Sequence, residues 1–143
     1  MSDAPCPFCD FNEPEVTLCS NRLAFAIISR APINGYHALV IPYAHVERLP
    51  ELSVEVAGAV VALAQRVARA IVAAARPDGV TYISDDDLTN RGYNLVAHWK
   101  LHVIARFQGE ALRLDWARQP DPGQSARAEL AVAIRKHLVP AGQ

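Results

Sequence analysis

The chain has 143 residues, of which 51% are hydrophobic and 20% charged, and its formal net charge is −1. This length favours a single domain with one core, and the composition is that of a globular rather than a disordered chain. A nearly neutral chain without a basic block is not expected to bind nucleic acid. The polar, proline-containing N-terminus does not resemble a signal peptide, so we expect a cytoplasmic location.

Three short strands are predicted near the N-terminus. Residues 15–19 and 23–29 are apolar runs separated by Ser-Asn-Arg, which is the pattern of a hairpin. Residues 36–43 form a third run, rich in β-branched and aromatic side chains, in which Pro42 marks the end of the strand.

A long helix is predicted over residues 54–75, with Ser53 as its N-cap. The apolar residues that recur at helical spacing are Val56, Val60, Leu63, Val67 and Ile71. Gln65, Arg66 and Arg69 interrupt the apolar run, so we expect no membrane span here.

Two more strands and a second helix complete the pattern. Residues 80–86 predict a fourth strand, and residues 93–107 predict a long fifth strand at the centre of the sheet. Ser125 is the expected N-cap of a last helix over about 126–138. Because strands and helices do not alternate, the order favours an α+β fold. We expect an antiparallel sheet of about five strands, one long central helix and a C-terminal helix.

Cys6 and Cys9 form a C-x-x-C motif, and Cys19 makes the cysteine count odd, which argues against a disulfide framework. The motif can be half of a zinc site, a redox pair or a coincidence, and its proline-rich surroundings look like an N-terminal knuckle. Two thiolates at this spacing can bind one ion, and tetrahedral zinc needs two further ligands. The candidates are His37, His45, His98, His102 and His137, and sequence spacing does not choose among them.

The stretch H-W-K-L-H-V-I-A-R contains His98, Lys100 and His102 in alternation, so on a strand these three side chains share one face. Together with the upstream A-P-I-N-G-Y-H-A-L-V-I-P-Y-A-H, it resembles the histidine-triad (HIT) superfamily, over roughly residues 6–106. The usual signature is three histidines alternating with apolar residues, followed by Pro-Arg. Here Lys100 replaces the middle histidine and Ala105 replaces the proline. The zinc-bearing bacterial members related to galactose-1-phosphate uridylyltransferase look most similar.

The resemblance implies a structural zinc ion. The implied ligands are Cys6, Cys9, His45 and His98. Four protein ligands leave no position for water, so the metal would attach the knuckle, residues 1–14, to the sheet rather than generate hydroxide. The resemblance also implies a single HIT-like domain over residues 1–143 and a homodimer formed through the long helix and a sheet edge.

In the superfamily the middle histidine attacks the α-phosphate of a nucleotide and forms a covalent nucleotidyl-imidazole. Lys100 takes that position, where it can be a fixed charge for phosphate, a poor nucleophile or a side chain that reaches solvent. His102 can act as a base or be a core histidine. Asn94 stands where the family has Gln and can donate to phosphate. Residues 85–87, three aspartates, can contact ribose or a cation, or form a solvated turn.

The sequence is therefore compatible with three functions. The first is a nucleotide hydrolase or transferase that acts on a dinucleoside polyphosphate, a nucleoside phosphoramidate or an adenylylated conjugate. The second is a zinc-stabilised pseudoenzyme that binds a nucleotide or phosphorylated ligand without turnover. The third is a purely structural or interaction role.

Overall fold

The structure is a computed structural model that describes residues 5–87, 89, 95–110 and 119–139. The chain divides into two compact units, Met1–Ala111 and Leu112–Gln143. Among the described residues, the first unit contains a sheet and a long helix, and the second contains one helix.

A five-stranded antiparallel sheet forms the first unit, with strand order β1-β2-β3-β5-β4. The strands are β1 (Thr17–Ser20), β2 (Ala24–Ile28), β3 (His37–Pro42), β4 (Gly79–Ile83) and β5 (Leu101–Arg106). Short 3-10 turns lie at Pro14–Val16 and Leu49–Glu51. The predicted fold class, and the predicted pairing of the first two strands, are confirmed.

The long helix α1 spans Val54–Ala75, as the sequence predicts, and the Ser53 hydroxyl accepts a hydrogen bond from the Val56 amide at 3.2 Å. Its buried residues are Val60, Leu63, Ala64, Val67, Ala68 and Ile71. Helix α1 is long and apolar enough to cross a membrane. Its buried face, however, packs on the sheet, as in the core helix of a globular unit.

The two faces of the sheet have different partners. The side chains that face α1 are mostly small, and they include Ala24, Ala26, Ala38, Val40 and Ala105. On the opposite face, Phe25, Ile27, Leu39 and Ile41 pack against Phe8 and Phe11 of the N-terminal segment. Strand alternation therefore sends one set of side chains to the core under α1 and the other set to the face that carries the candidate site.

The prediction for the fifth strand is wrong in two respects. Strand β5 begins at Leu101 rather than at residue 93, and the central strand is β3. The register that pairs Val40 with Leu101 would place Pro42 opposite Trp99, and proline has no N–H to donate to the ladder. The Trp99 amide instead donates to the Val46 carbonyl at 2.6 Å, which holds the segment before β5 against the loop after β3.

Strand β4 ends at Ile83, not at residue 86 as predicted. Beyond it, the Asp85 carboxylate accepts a hydrogen bond from the Asp87 amide at 2.8 Å, and Asp87 accepts from the amide and hydroxyl of Thr89. These side-chain contacts compete with continued strand pairing and form a turn.

In the second unit, α2 spans Gln124–Arg135 rather than 126–138. Gly123 precedes it with φ 89°, a conformation that favours glycine, and its amide donates to the Asp121 carboxylate at 2.9 Å. Ser125 therefore lies inside the first turn of the helix, and its predicted role as N-cap is wrong.

Candidate functional site

Two cysteines and two histidines from three separate segments converge on one point. The residues are Cys6, Cys9, His45 and His98, and their ligand atoms all lie within 4.8 Å of one another. Cys6 and Cys9 share a tight turn in which the Cys9 amide donates to the Cys6 carbonyl at 3.1 Å. His45 lies in the loop after β3, and His98 lies in the segment before β5.

The distances within this cluster suit a tetrahedral metal ion. Cys6 Sγ and Cys9 Sγ lie 3.4 Å and 3.8 Å from His98 Nδ1, and Cys9 Sγ lies 3.2 Å from His45 Nδ1. Zinc–sulfur bonds of about 2.3 Å and zinc–nitrogen bonds of about 2.0–2.1 Å, at tetrahedral angles, separate S from N by about 3.6 Å.

His98 has the orientation expected of a metal ligand. Its Nε2 donates a hydrogen bond to the Pro42 carbonyl at 2.9 Å, so the lone pair of a neutral ring is on Nδ1, the atom that faces the two thiols. The residue is only 1% exposed, and burial lowers the pKa of His98, which favours this neutral form. The residues present therefore fit a zinc ion.

Phe8, between the two cysteines, connects the cluster to a neighbouring cavity. Its ring meets the His98 ring edge to face at a centroid distance of 5.7 Å, and its centroid lies 5.7 Å from Lys100 Nζ. Phe8 and Phe11 also pack against the sheet face opposite α1. The segment that carries the cysteine pair thus forms one wall of the cavity.

The cavity has a volume of about 320 Å³ and lies on the sheet face opposite α1. Most of its wall is aromatic or aliphatic, with Phe8, Phe11, Ile27, Ile33, Leu39 and Leu95 among the lining residues. Three nitrogen-bearing side chains of the lining are close neighbours. They are His37 on β3, Lys100 in the segment before β5, and His102 on β5. A site of this kind suits a ligand with an apolar or aromatic body and a polar end.

Lys100 is 6% exposed, and its ammonium group is held by the protein backbone. Nζ donates to the carbonyls of Val96 at 2.7 Å and His98 at 3.0 Å, and the Lys100 carbonyl accepts from the Ser84 hydroxyl at 2.7 Å. Burial lowers the pKa of Lys100 to about 8, so the side chain is still largely cationic at neutral pH.

His37 and His102 form a buried pair, with His37 Nε2 and His102 Nδ1 2.8 Å apart. Burial, and to a smaller degree the charges of His37 and Lys100, lower the pKa of His102 to about 4. Burial also lowers the pKa of His37. Both rings are therefore neutral at pH 7.

The residues predicted from sequence separate into two neighbouring groups. Cys6, Cys9, His45 and His98 form the metal-type cluster, whereas Lys100 and His102 line the cavity. Asn94 lies outside the described residues. His137 follows α2 in the second unit. Asp85 and Asp87 make the turn contacts given above, and Asp86 accepts from the Leu49 amide at 3.3 Å.

Sequence reasoning missed two contributors to the cavity. His37 was considered only as a possible metal ligand, yet it pairs with His102. Its position at the start of an apolar strand gave one available signal, because a polar residue in a buried strand needs a partner. Phe8 lies between the two cysteines in sequence, and in the structure its ring contacts the ring of His98.

The chain is similar in sequence and in fold to known proteins. An AP-4-A phosphorylase of Mycobacterium tuberculosis is 26% identical over 131 residues, covering 76% of this chain and 67% of that protein. A crystal structure of a HIT family member from Bacillus subtilis is similar in fold, with a TM-score of 0.82 and 23% identity over 96% of this chain and all of that one.

A Zn-bound histidine triad family protein from Mycobacterium smegmatis has a TM-score of 0.65 and 28% identity over 90% of this chain and 96% of that chain. The profile of the HIT domain matches residues 10–109, well over half of the sequence. The chain therefore belongs to the HIT domain family.

Proposed function

We propose that this protein binds a nucleotide, or another phosphorylated small molecule, in the cavity between the sheet and the N-terminal segment. The observation that carries the proposal is the cavity itself, whose lining combines aromatic and aliphatic side chains with a buried lysine and a pair of histidines. A nucleobase or similar planar group suits the wall that includes Phe8 and Phe11, and the phosphate suits the end with Lys100 and His102.

The same proposal includes a structural zinc ion held by Cys6, Cys9, His45 and His98. The donor set, the distances and the His98 tautomer support it, as does the Zn-bound relative. A zinc ion with these four protein ligands would cross-link the N-terminal segment to the sheet. Thiolate ligation of this kind persists where thiols stay reduced, which is consistent with a cytoplasmic location.

We further propose that Lys100 stands where related proteins have their middle histidine, in a branch close to galactose-1-phosphate uridylyltransferase. An imidazole is nucleophilic when neutral near pH 7, whereas an ammonium group has no lone pair for attack on phosphorus. Because two backbone carbonyls accept hydrogen bonds from Lys100 Nζ, the local geometry favours the cation. Ligand binding is thus better supported by these contacts than turnover of the family type.

A second candidate function is hydrolysis or transfer of a nucleotide. It is favoured by the similarity to an AP-4-A phosphorylase. For this chain the corresponding substrates are a dinucleoside polyphosphate or a nucleoside phosphoramidate, with water or another acceptor taking the nucleotide.

Calorimetric titration with AMP tests the binding proposal. Lys100→Met should lower AMP affinity roughly tenfold or more, because hydrogen bonds to charged groups contribute about 1.5–3 kcal/mol. Lys136→Met, at an exposed lysine beyond α2, is the matched control and should leave the affinity unchanged. Equal affinity for all three proteins, or no AMP binding to the wild type, would contradict the proposal.

Turnover separates the two candidate functions. Purified wild type, Lys100→His and Lys100→Ala are each incubated with diadenosine tetraphosphate and with an adenosine phosphoramidate, and products are followed by chromatography. The binding function predicts no turnover by the wild type and measurable turnover by Lys100→His. Wild-type turnover that Lys100→Ala abolishes would instead establish an enzyme that uses the lysine.

A further inference from the structure

The cysteine pair has a second chemistry besides metal binding, because two neighbouring thiols can also be oxidised. Cys6 and Cys9 are free, and their Sγ atoms belong to a group of ligand atoms that all lie within 4.8 Å of one another. The Cys9 amide donates to the Cys6 carbonyl at 3.1 Å, which closes a turn. In such a turn the first and last Cα atoms lie less than about 7 Å apart, a separation that a disulfide can span.

The two thiols of the pair differ in their access to solvent. Cys9 is exposed, whereas Cys6 is half-buried. A small oxidant therefore reaches Cys9 first, and Cys6 is the neighbouring thiol that resolves the oxidised sulfur. The third cysteine, Cys19, packs against the core under α1 and is not a member of the cluster, so it serves as an internal control.

We propose that Cys6 and Cys9 are a site of reversible oxidation by hydrogen peroxide, which forms a disulfide, releases the zinc ion and opens the cavity. The Cys9 thiolate attacks a peroxide oxygen, the O–O bond breaks, and hydroxide leaves to give a sulfenic acid. The Cys6 thiolate then attacks that sulfur, the S–O bond breaks, an S–S bond forms, and a second hydroxide leaves. Solvent protons convert both hydroxides to water, so the two thiolates lose the two electrons that the peroxide gains.

The disulfide removes half of the proposed zinc ligands. Thiolates bind zinc and disulfide sulfurs do not, so only His45 and His98 of the cluster remain. A structural zinc site needs four ligands, and the ion therefore leaves. His98 keeps its hydrogen bond to the Pro42 carbonyl and stays on the sheet, whereas the turn that carries the cysteines is released from both histidines.

The connection to the cavity is Phe8, which lies in the turn between the two cysteines. Its ring contacts the ring of His98 and lies 5.7 Å from Lys100 Nζ, and it lines the cavity together with Phe11. Release of the turn therefore allows this wall to move away from the ligand. The effect on the ligand rests on the proposed binding function, whereas the loss of metal rests on the proposed zinc ion alone.

Peroxide treatment of the zinc-loaded, full-length protein tests the modification directly. Peptide mapping by mass spectrometry should find a disulfide between Cys6 and Cys9, and a chromogenic chelator should detect one zinc ion for each disulfide formed. A thiol reductant followed by zinc should restore the loaded protein, and Cys19→Ser should behave like the wild type. Oxidised protein that retains zinc, zinc loss with sulfinic acids in place of the disulfide, or a reduced protein that binds no zinc would each overturn the proposal.

AMP titration tests the connection to the cavity. Oxidation should lower the AMP affinity of the wild type and of Cys19→Ser by about tenfold or more, and reduction with zinc should restore it. Phe8→Ala in its reduced, zinc-loaded form should already bind AMP weakly, and oxidation should weaken it little further, because the wall is missing. Unchanged affinity in oxidised wild type, or equal losses in wild type and Phe8→Ala, would overturn this connection.

Failure of the proposed binding function gives a separate result. If the reduced, zinc-loaded wild type does not bind AMP, the binding proposal is wrong. Peptide mapping and zinc release still decide whether Cys6 and Cys9 are oxidised as a pair, since neither measurement involves a nucleotide.

Discussion

At the scale of single residues, burial decides the chemistry of the cavity. His102 is 8% exposed and Lys100 is 6% exposed, and burial disfavours the charged form of each. At neutral pH Lys100 is nevertheless largely charged and His102 is neutral, because the groups around the two side chains differ. Two carbonyls accept hydrogen bonds from the lysine Nζ and support its charge, whereas the neighbour of His102 is another imidazole, His37.

The pKa of His102 makes stability depend on pH in a defined direction. It is about 4 in the folded protein and 6.5 in the unfolded chain, so between these values the unfolded chain binds more protons. This contribution is fully present above pH 6.5 and is lost as the pH falls towards 4. We expect wild type to lose about 2 kcal/mol of unfolding free energy between pH 7 and pH 5 relative to His102→Gln.

Urea unfolding at the two pH values measures this difference. Because acid also protonates the metal-type cluster, only the change relative to His102→Gln is informative. His137→Gln, which removes an exposed histidine of the second unit, is the control and should follow the wild type at both pH values. A difference that does not vary with pH would show that His102 titrates normally.

At the scale of elements, the N-terminal segment forms one wall of the cavity. It has little secondary structure besides turns and one 3-10 turn, and Phe8 and Phe11 attach it to the sheet. Over its described residues the segment makes few backbone hydrogen bonds to the sheet, so we expect a metal ion in the cluster to have a large part in holding it.

We therefore expect that removal of the proposed zinc ion weakens ligand binding as well as stability. After treatment with a zinc chelator, or in Cys9→Ser, we expect a lower melting temperature and an AMP affinity reduced about tenfold or more, because Phe8 no longer closes the cavity. Calorimetry, thermal unfolding and metal analysis measure these changes. Cys19→Ser, outside the cluster, should retain metal and affinity. Tight metal binding in Cys9→Ser would refute the four-residue site.

Helix α1 supports the sheet from its other face. Leu63 is fully buried there, while Val61, two residues earlier, is 61% exposed. We expect Leu63→Ala to cost about 2–5 kcal/mol of unfolding free energy and Val61→Ala to change it by less than about 0.5 kcal/mol. Denaturant unfolding compares the two variants, and similar values would mean that α1 does not pack on the sheet through this face.

At the scale of the whole molecule, the described surface of the first unit suggests self-association. The exposed side of α1 carries Val61 and Val72, and the edge strand β4 carries Tyr82, which is half exposed. An exposed apolar helix face is a suitable surface for a symmetric dimer, in line with the homodimer that the sequence resemblance implies.

Light scattering or sedimentation should thus give about twice the 15.6 kDa mass of one chain. Val61→Lys should shift the protein towards the monomer, since it places a charge in the proposed contact. Leu18→Lys, on β1 at the opposite edge of the sheet, is the matched control and should leave the mass unchanged. A wild-type monomer at all concentrations would contradict the dimer.

Local sequence signals were sufficient for much of this fold. The cap at Ser53, the apolar repeat of α1 and the apolar runs of the first three strands depend on near neighbours, and each appears in the structure. The errors arose where tertiary contacts decided the ends of elements. Strand β5 is shorter than its apolar pattern because Pro42 on the neighbouring strand cannot continue the ladder.

The sequence by itself determined the residue types of the site: a C-x-x-C pair, histidines and a lysine between two of them. Only the tertiary structure decided how they combine, because contacts such as Cys6–His98 and His37–His102 join residues 92 and 65 positions apart.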